Sequence, residues 1–188
     1  MPRVTEILEA QGVMKGSPWF EPRHRIRGTL VHDACAMIGA GTPIPPEWWQ
    51  GHSGSPSLPS THVEHEECRE YVEAYIRWKD LSGWHMDAAE REVRYGDLYV
   101  GHIDQVGSFN KEPDTWIIDL KNGESERWHP LQLALYQLAL DYERRPFPLV
   151  HRANLYLPSG KFIERTNPRD LRAALILAQA EQAKLEYA

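Results

Sequence analysis

Gly101-His-Ile-Asp-Gln-Val-Gly107 and, after a polar gap, Trp116-Ile-Ile-Asp-Leu-Lys-Asn-Gly123 decide how this chain reads. Both lie in short apolar runs suited to buried strands, Leu98–Val106 and Trp116–Lys121, and both carry ionisable residues inside. Side chains alternate along a strand, so Asp119 and Lys121 share one face and Leu120 takes the other. Asp104 sits between Ile103 and Val106 in the first run. Burying such charges is costly unless they are paired or hold a metal, and charges of this kind concentrate where they have a task.

The rest of the chain supplies a core around these runs. Its 188 residues suit one domain, and the hydrophobic fraction of 41% is enough for a real interior. No apolar run approaches the ~20 residues of a membrane helix, and the N-terminus lacks the apolar segment of a secretory signal. Cys35 and Cys68 are the only cysteines, which disfavours a disulfide framework and an iron–sulfur cluster and points to the cytoplasm. A net charge of −6 argues against a protein that works by coating phosphates. It is compatible with an enzyme that needs only a local basic rim and a metal ion. Pro22–Gly28, with Arg23, His24, Arg25 and Arg27, is the densest basic cluster, either a solvated approach to a helix or a phosphate contact.

Val4–Gln11 and Gly28–Gly39 read as helices, the second with Leu30, Val31, Ala34, Cys35 and Ile38 at helical spacing and His32 near its start. Residues 39–60 form a Pro/Gly-rich loop. Trp48 and Trp49 in it either pin the loop to the core or offer a platform for unpaired bases. Thr61 and Glu64 match a capping box and predict a helix from there to about Leu81. Its Glu64, Glu66, Glu67, Glu70 and Glu73 read as solvent-facing; one of them, or Glu92, is a candidate further ligand. Ala89–Tyr95 and Leu98–Val106 pair across Gly96-Asp97, and Thr115–Lys121 follows the polar loop Asn110–Asp114. A helix over Trp128–Tyr142, a hairpin of Arg152–Leu157 and Lys161–Arg165, and a last helix started by Asn167, Pro168 and Asp170 complete the chain. The order predicts a single α/β domain with a mixed central sheet flanked by helices.

Asp104 and Asp119 on neighbouring strands are the carboxylate pair a hard divalent cation takes. Lys121, two residues beyond Asp119, points to the same pocket, where an amine can orient water and offset phosphate charge. Gln132 and Tyr136, four apart on one helical face, are either a satisfied buried polar pair or a support for Lys121 and a phosphate.

These residues, in this order, resemble the PD-(D/E)XK nuclease superfamily: Gly101-His-Ile-Asp104, Ile118-Asp119-Leu120-Lys121, Gln132-Leu-Ala-Leu-Tyr136, and upstream Gly28-Thr-Leu-Val-His32. Together they are most similar to its RecB/Cas4-like exonuclease branch, over roughly Arg27 to Tyr142. The resemblance implies a restriction-endonuclease-like core. It implies Mg²⁺ or Mn²⁺ on His32, Asp104, Asp119 and the Leu120 carbonyl, and Lys121 as the residue orienting water. Gln132 and Tyr136 would support the site and, with Arg27, contact DNA. Asp119 stands where Glu is commoner, Asn122 where Thr or Ser often follows the Lys, and the Cas4 cysteine cluster is absent. The expected activity is hydrolysis of DNA at ends or on single strands, in recombination, repair or phage DNA processing, with a strand-annealing protein as an expected partner. The alternatives are a non-cleaving DNA-binding or docking module on the same fold and a hydrolase of another phosphoester.

Overall fold

The computed structural model describes residues 1–14, 21–110, 112–143 and 149–186. Lys111, in the predicted Asn110–Asp114 loop, lies outside them. Helices α1 (Val4–Ala10), α2 (Pro22–Gly39) and α3 (Arg69–Ser82) precede the main strands β3 (Trp84–Tyr95), β4 (Tyr99–Phe109) and β5 (Thr115–Lys121). Helix α4 (His129–Glu143) crosses to β6 (Val150–Tyr156) and β7 (Lys161–Glu164), and α5 (Pro168–Glu186) ends the chain. Two short strands, β1 (His52–Ser53) and β2 (Val63–Glu64), pair with each other ahead of α3.

The main sheet has the order β3-β4-β5-β6-β7. Neighbours run antiparallel except β5 and β6, which are parallel. A parallel pair needs a long crossover, and α4 supplies it. Adjacent β5 residues go to opposite faces. Ile117 joins a core with α1, α4 and α5, through Leu8, Leu133, Tyr136 and Ala178. Ile118 and Leu120 join a second core with α2 and α3, through Val31, Cys35, Val72 and Tyr75. The result is a mixed five-stranded sheet between two helical layers, the architecture the sequence predicts.

Three local expectations are corrected. The helix predicted from Thr61 starts at Arg69; residues 59–61 and 65–68 are 3₁₀ turns around β2. The capping reciprocity falls three residues later, where the Glu67 side chain accepts from the Glu64 amide at 3.0 Å. Pairing of β2 with β1 withholds the Val63 and Glu64 backbone from a helix. The loop at 39–60 is not wholly irregular: Pro46–Gln50 form a 3₁₀ turn before β1. Trp48 and Trp49 pack against the α2/α3 core, with the Arg69 guanidinium 4.3 Å from the Trp49 ring. Helix α2 begins at Pro22, not Gly28. Proline at the first helical position has no amide to satisfy and its φ is already helical, so Arg23 to Arg27 form the first turns of the helix rather than its approach.

Among the described residues, no helix is long and apolar enough to cross a membrane.

Candidate active site

The site forms where β4 and β5 part. Their ladder runs from Gly107↔Trp116 to Gln105↔Ile118. The next step would pair Asp104 with Asp119. Instead the Asp104 side chain takes over, its Oδ2 accepting the Leu120 amide at 2.6 Å. Strand alternation also slips here. Ile103 and Val106 lie in the same core, while the Gln105 Oε1 between them accepts Tyr75 O–H and Trp84 N–H from the opposite layer, each at 3.0 Å.

The partner strand is irregular at the same level. β3 shifts register between Met86 and Ala88, and Glu90 takes φ +46°. A left-handed backbone is uncommon for a non-glycine residue. It costs of order 1–3 kcal/mol and collects at functional sites. The consequence is that Glu90 joins Asp104 and His32, one ligand atom from each lying within 4.8 Å of the others. His32 Nδ1 is 3.6 Å from Asp104 Oδ1 and 3.9 Å from Glu90 Oε1. Burial pushes the Asp104 carboxyl up, His32 opposes the shift, and the Asp119 charge adds to it. Burial likewise raises Glu90, with the Asp104 charge next. Two carboxylates and an imidazole held this close are a donor set that suits a divalent cation.

Asp119 is 2% exposed. Lys121 Nζ forms an ion pair with its Oδ2 and Asn154 Nδ2 donates to the same oxygen, each at 2.8 Å, so the two residues predicted to share a face do meet. Lys121 Nζ also donates to Gln132 Oε1 at 2.8 Å and lies 4.9 Å from the Trp128 ring centroid. Gln132 Nε2 donates to the Tyr136 hydroxyl at 3.0 Å. That one-turn spacing on α4 therefore holds the lysine from behind. Burial, with Asp119 and Asp104 nearby, drives the Tyr136 phenol well above its ordinary value, so it stays protonated. Gly101 permits the approach of α4: a methyl there would sit 2.7 Å from the Tyr136 ring. A cavity of about 230 Å³, lined by Glu90, Gly101, Asp104, Tyr136, His102 and Arg3 among others, opens beside these groups.

Of the sequence-predicted residues, His32 and Asp104 meet in one cluster, and Asp119, Lys121, Gln132 and Tyr136 form a chain of contacts beside it. Tyr136 and Gln132 are buried, and their recorded bonds go to each other and to Lys121. Leu120 places its side chain in the α2/α3 core and its amide on Asp104. Arg27 is half-buried, 5.1 Å from the Tyr71 ring centroid, with a buried Nε that has no partner. Gly28 on the next position faces Asn122, just beyond β5.

The extra acid is not where the sequence suggests. Glu66, Glu67 and Glu73 pair with Arg69, Arg23 and Arg77, and Glu92 pairs with Arg94 and His102. Glu90 is the one that reaches the site. The hairpin register counted back from Gly96-Asp97 brackets Glu90 opposite Asp104, between Ala89↔Gln105 and Arg91↔Ile103, but the side on which it emerges follows from its left-handed backbone.

Behind the site, Tyr156 O–H and His129 Nδ1 lie 3.0 Å apart, and the Glu126 amide donates to that nitrogen. Burial, with the Lys121 and Arg165 charges, lowers His129 to about 3. An unfolded histidine titrates near 6.5. Between those values the unfolded chain binds the extra proton, so stability is full above pH ~6.5 and lost as pH falls toward 3. In metal-free protein, urea unfolding at pH 5 compared with pH 7.5 should cost the wild type about 2 kcal/mol more than His129→Gln. Equal losses in the two proteins would contradict a buried neutral histidine.

A strand-end Asp-x-Lys pair beside a second aspartate, a glutamate and a helical histidine is an arrangement that could hold a divalent cation next to an amine. A family model, that of the PD-(D/E)XK nuclease superfamily, matches residues 10–184. The chain belongs to that superfamily of metal-dependent nucleases. Among solved structures 21 chains match it. One, the crystal structure of SSO0001, is 14% identical over 96% of this chain and 83% of its own, with a TM-score of 0.36. No curated protein matches.

Proposed function

We propose that the protein is a Mg²⁺- or Mn²⁺-dependent deoxyribonuclease of the RecB/Cas4-like branch, degrading DNA from ends or single strands in the cytoplasm. The observation that carries this reading is Lys121 held on Asp119 and Gln132 at the rim of the Asp104–Glu90–His32 cluster. That donor set fits a hard cation, and His32, Asp104 and Asp119 would hold it, with the Leu120 carbonyl completing the set and Glu90 as a further acid. When bound, such a cation acidifies water and stabilises charge on the phosphate. The chain's own work is positional. Lys121 orients the attacking water and offsets phosphate charge. Gln132 and Tyr136 keep the ammonium from swinging away. Arg27, on the first turns of α2 one residue before Gly28, is the residue we assign to the DNA backbone. A role in recombination, repair or phage DNA processing, with a strand-annealing protein as partner, accords with this branch.

The test is a time course on end-labelled linear duplex, single-stranded and covalently closed circular DNA with Mg²⁺ or Mn²⁺. The expected result is loss of the linear substrates while the circle survives. A circle nicked as fast as the linear forms are degraded would overturn end-dependence. No metal-stimulated cleavage of any form would favour a non-cleaving DNA-binding or docking module.

A further inference from the structure

Asn154 is a polar residue between Ala153 and Leu155 on β6, directly across the parallel ladder from Asp119, and it is fully buried. An amide in that position is tolerated only if both of its ends are bonded. Both are. Its Nδ2 donates to Asp119 Oδ2 at 2.8 Å, and its Oδ1 accepts from Arg165 Nε at 2.8 Å. Arg165 follows β7 directly, and its amide donates to the Arg152 carbonyl at 2.7 Å, so its backbone is fixed to the sheet. Its Nη2 donates to the Tyr156 hydroxyl at 2.7 Å and to Ser125 Oγ at 3.4 Å.

The chemistry of the three groups sets a direction. A guanidinium has donors only, so Arg165 accepts nothing but the oxygen end of the amide. The NH₂ end must then face Asp119. A carboxylate has acceptors only, so the same orientation suits it. Without Arg165 the buried amide oxygen would lose its charged donor, and the carboxylate alone would hold the Asn154 side chain in place.

We infer that Arg165, acting through Asn154, is a positioning residue that fixes the Asp119 carboxylate for the cation from two strands away. Oδ2 is taken up by Asn154 and Lys121, which leaves Oδ1 as the oxygen a cation would take. The inference rests on the proposed reading of Asp119 as a cation ligand. Partners that hold a ligating side chain in place are worth about 10–100-fold in metal affinity.

Mn²⁺ binding to the full chain, without DNA, is the direct test, read by calorimetry or by the free-Mn²⁺ electron paramagnetic resonance signal. Arg165→Met should weaken binding by about 10–100-fold, and Asn154→Leu by a similar factor. The double variant should be no weaker than the worse single one, because both act through one bond path. Arg165→Lys, which keeps a donor for Oδ1, should recover most of the affinity. Metal-free DNA binding in EDTA should be unchanged in Arg165→Met. Wild-type Mn²⁺ affinity in Arg165→Met, or losses that multiply in the double variant, would overturn the relay while leaving the nuclease reading intact. So would weaker DNA binding with Mn²⁺ affinity unchanged, which would place Arg165 on the substrate. A wild type that takes up no Mn²⁺ would overturn both together. Should Asn154→Leu fail to fold, the contrast between Arg165→Met and Arg165→Lys, both at a half-exposed position, decides the question alone.

Discussion

Asp119→Ala and Lys121→Ala are each expected to abolish cleavage in a protein that still folds. The two losses differ in kind. Asp119 is the junction of the site: Lys121 and Asn154 both bond to its Oδ2. Its removal strips the cation of a ligand and leaves the ammonium and the amide without their acceptor. No metal concentration should then restore the rate. Lys121→Ala leaves the Asp104–Glu90–His32 cluster in place, so Mn²⁺ should still bind. The rate should fall on the order of 10²–10⁴-fold, the usual worth of a group that positions or moves a proton. Circular dichroism and metal binding measured beside nuclease rates would separate the two. Cleavage at the normal rate in either variant would show that the chemistry lies elsewhere.

Asp104→Asn is expected to give a protein that is more stable without metal and inactive with it. In the wild type the Asp104 side chain is mostly buried, near Asp119, and its carboxyl is raised, first by burial. A raised carboxyl is at no disadvantage in acid; the penalty builds as pH climbs from the unfolded value, about 3.9, toward the folded one, so rising pH destabilises the metal-free site. Asparagine keeps an oxygen for the Leu120 amide and removes the charge. The gain should be on the order of 1–2 kcal/mol, about 2–8 °C in Tm for a chain of this size. Saturating Mn²⁺ reverses the order, because a ligand at 100 times its Kd adds about 2.7 kcal/mol to the wild type and little to the variant. Thermal melts with EDTA and with Mn²⁺ should therefore cross. A variant less stable than wild type in EDTA would mean that the carboxylates are not held against one another.

Much of this molecule is local in origin. Apolar runs of strand length, a proline and an asparagine at helix starts, and Gly-Asp between two strands are short-range signals, and β4, β5, α4, the β6–β7 hairpin and α5 stand close to where those signals put them. The meeting of Asp119 with Lys121 is of the same kind, since side chains two apart on a strand must share a face. Gln132 and Tyr136 follow from the helical repeat. Where neighbours compete, the local signal fails. Thr61 and Glu64 look like a helix start, yet pairing of Val63 and Glu64 with β1 claims that backbone first.

What the sequence by itself determined, then, is the order of elements, the layered α/β plan and the aspartates and lysine that mark the strand ends. Only the tertiary structure decided that Glu90, rather than an acid of 64–73 or Glu92, faces His32, because that depends on the left-handed backbone at Glu90 and on α2 lying over that part of the sheet. It alone decided that Asn154 and Arg165, residues 35 and 46 positions beyond Asp119, stand in line with it. The physical reason is the same in both cases. Periodicity and capping act over a few residues, whereas a buried polar group finds its partners across the sheet, and that choice is made by the packing of strands distant in the chain.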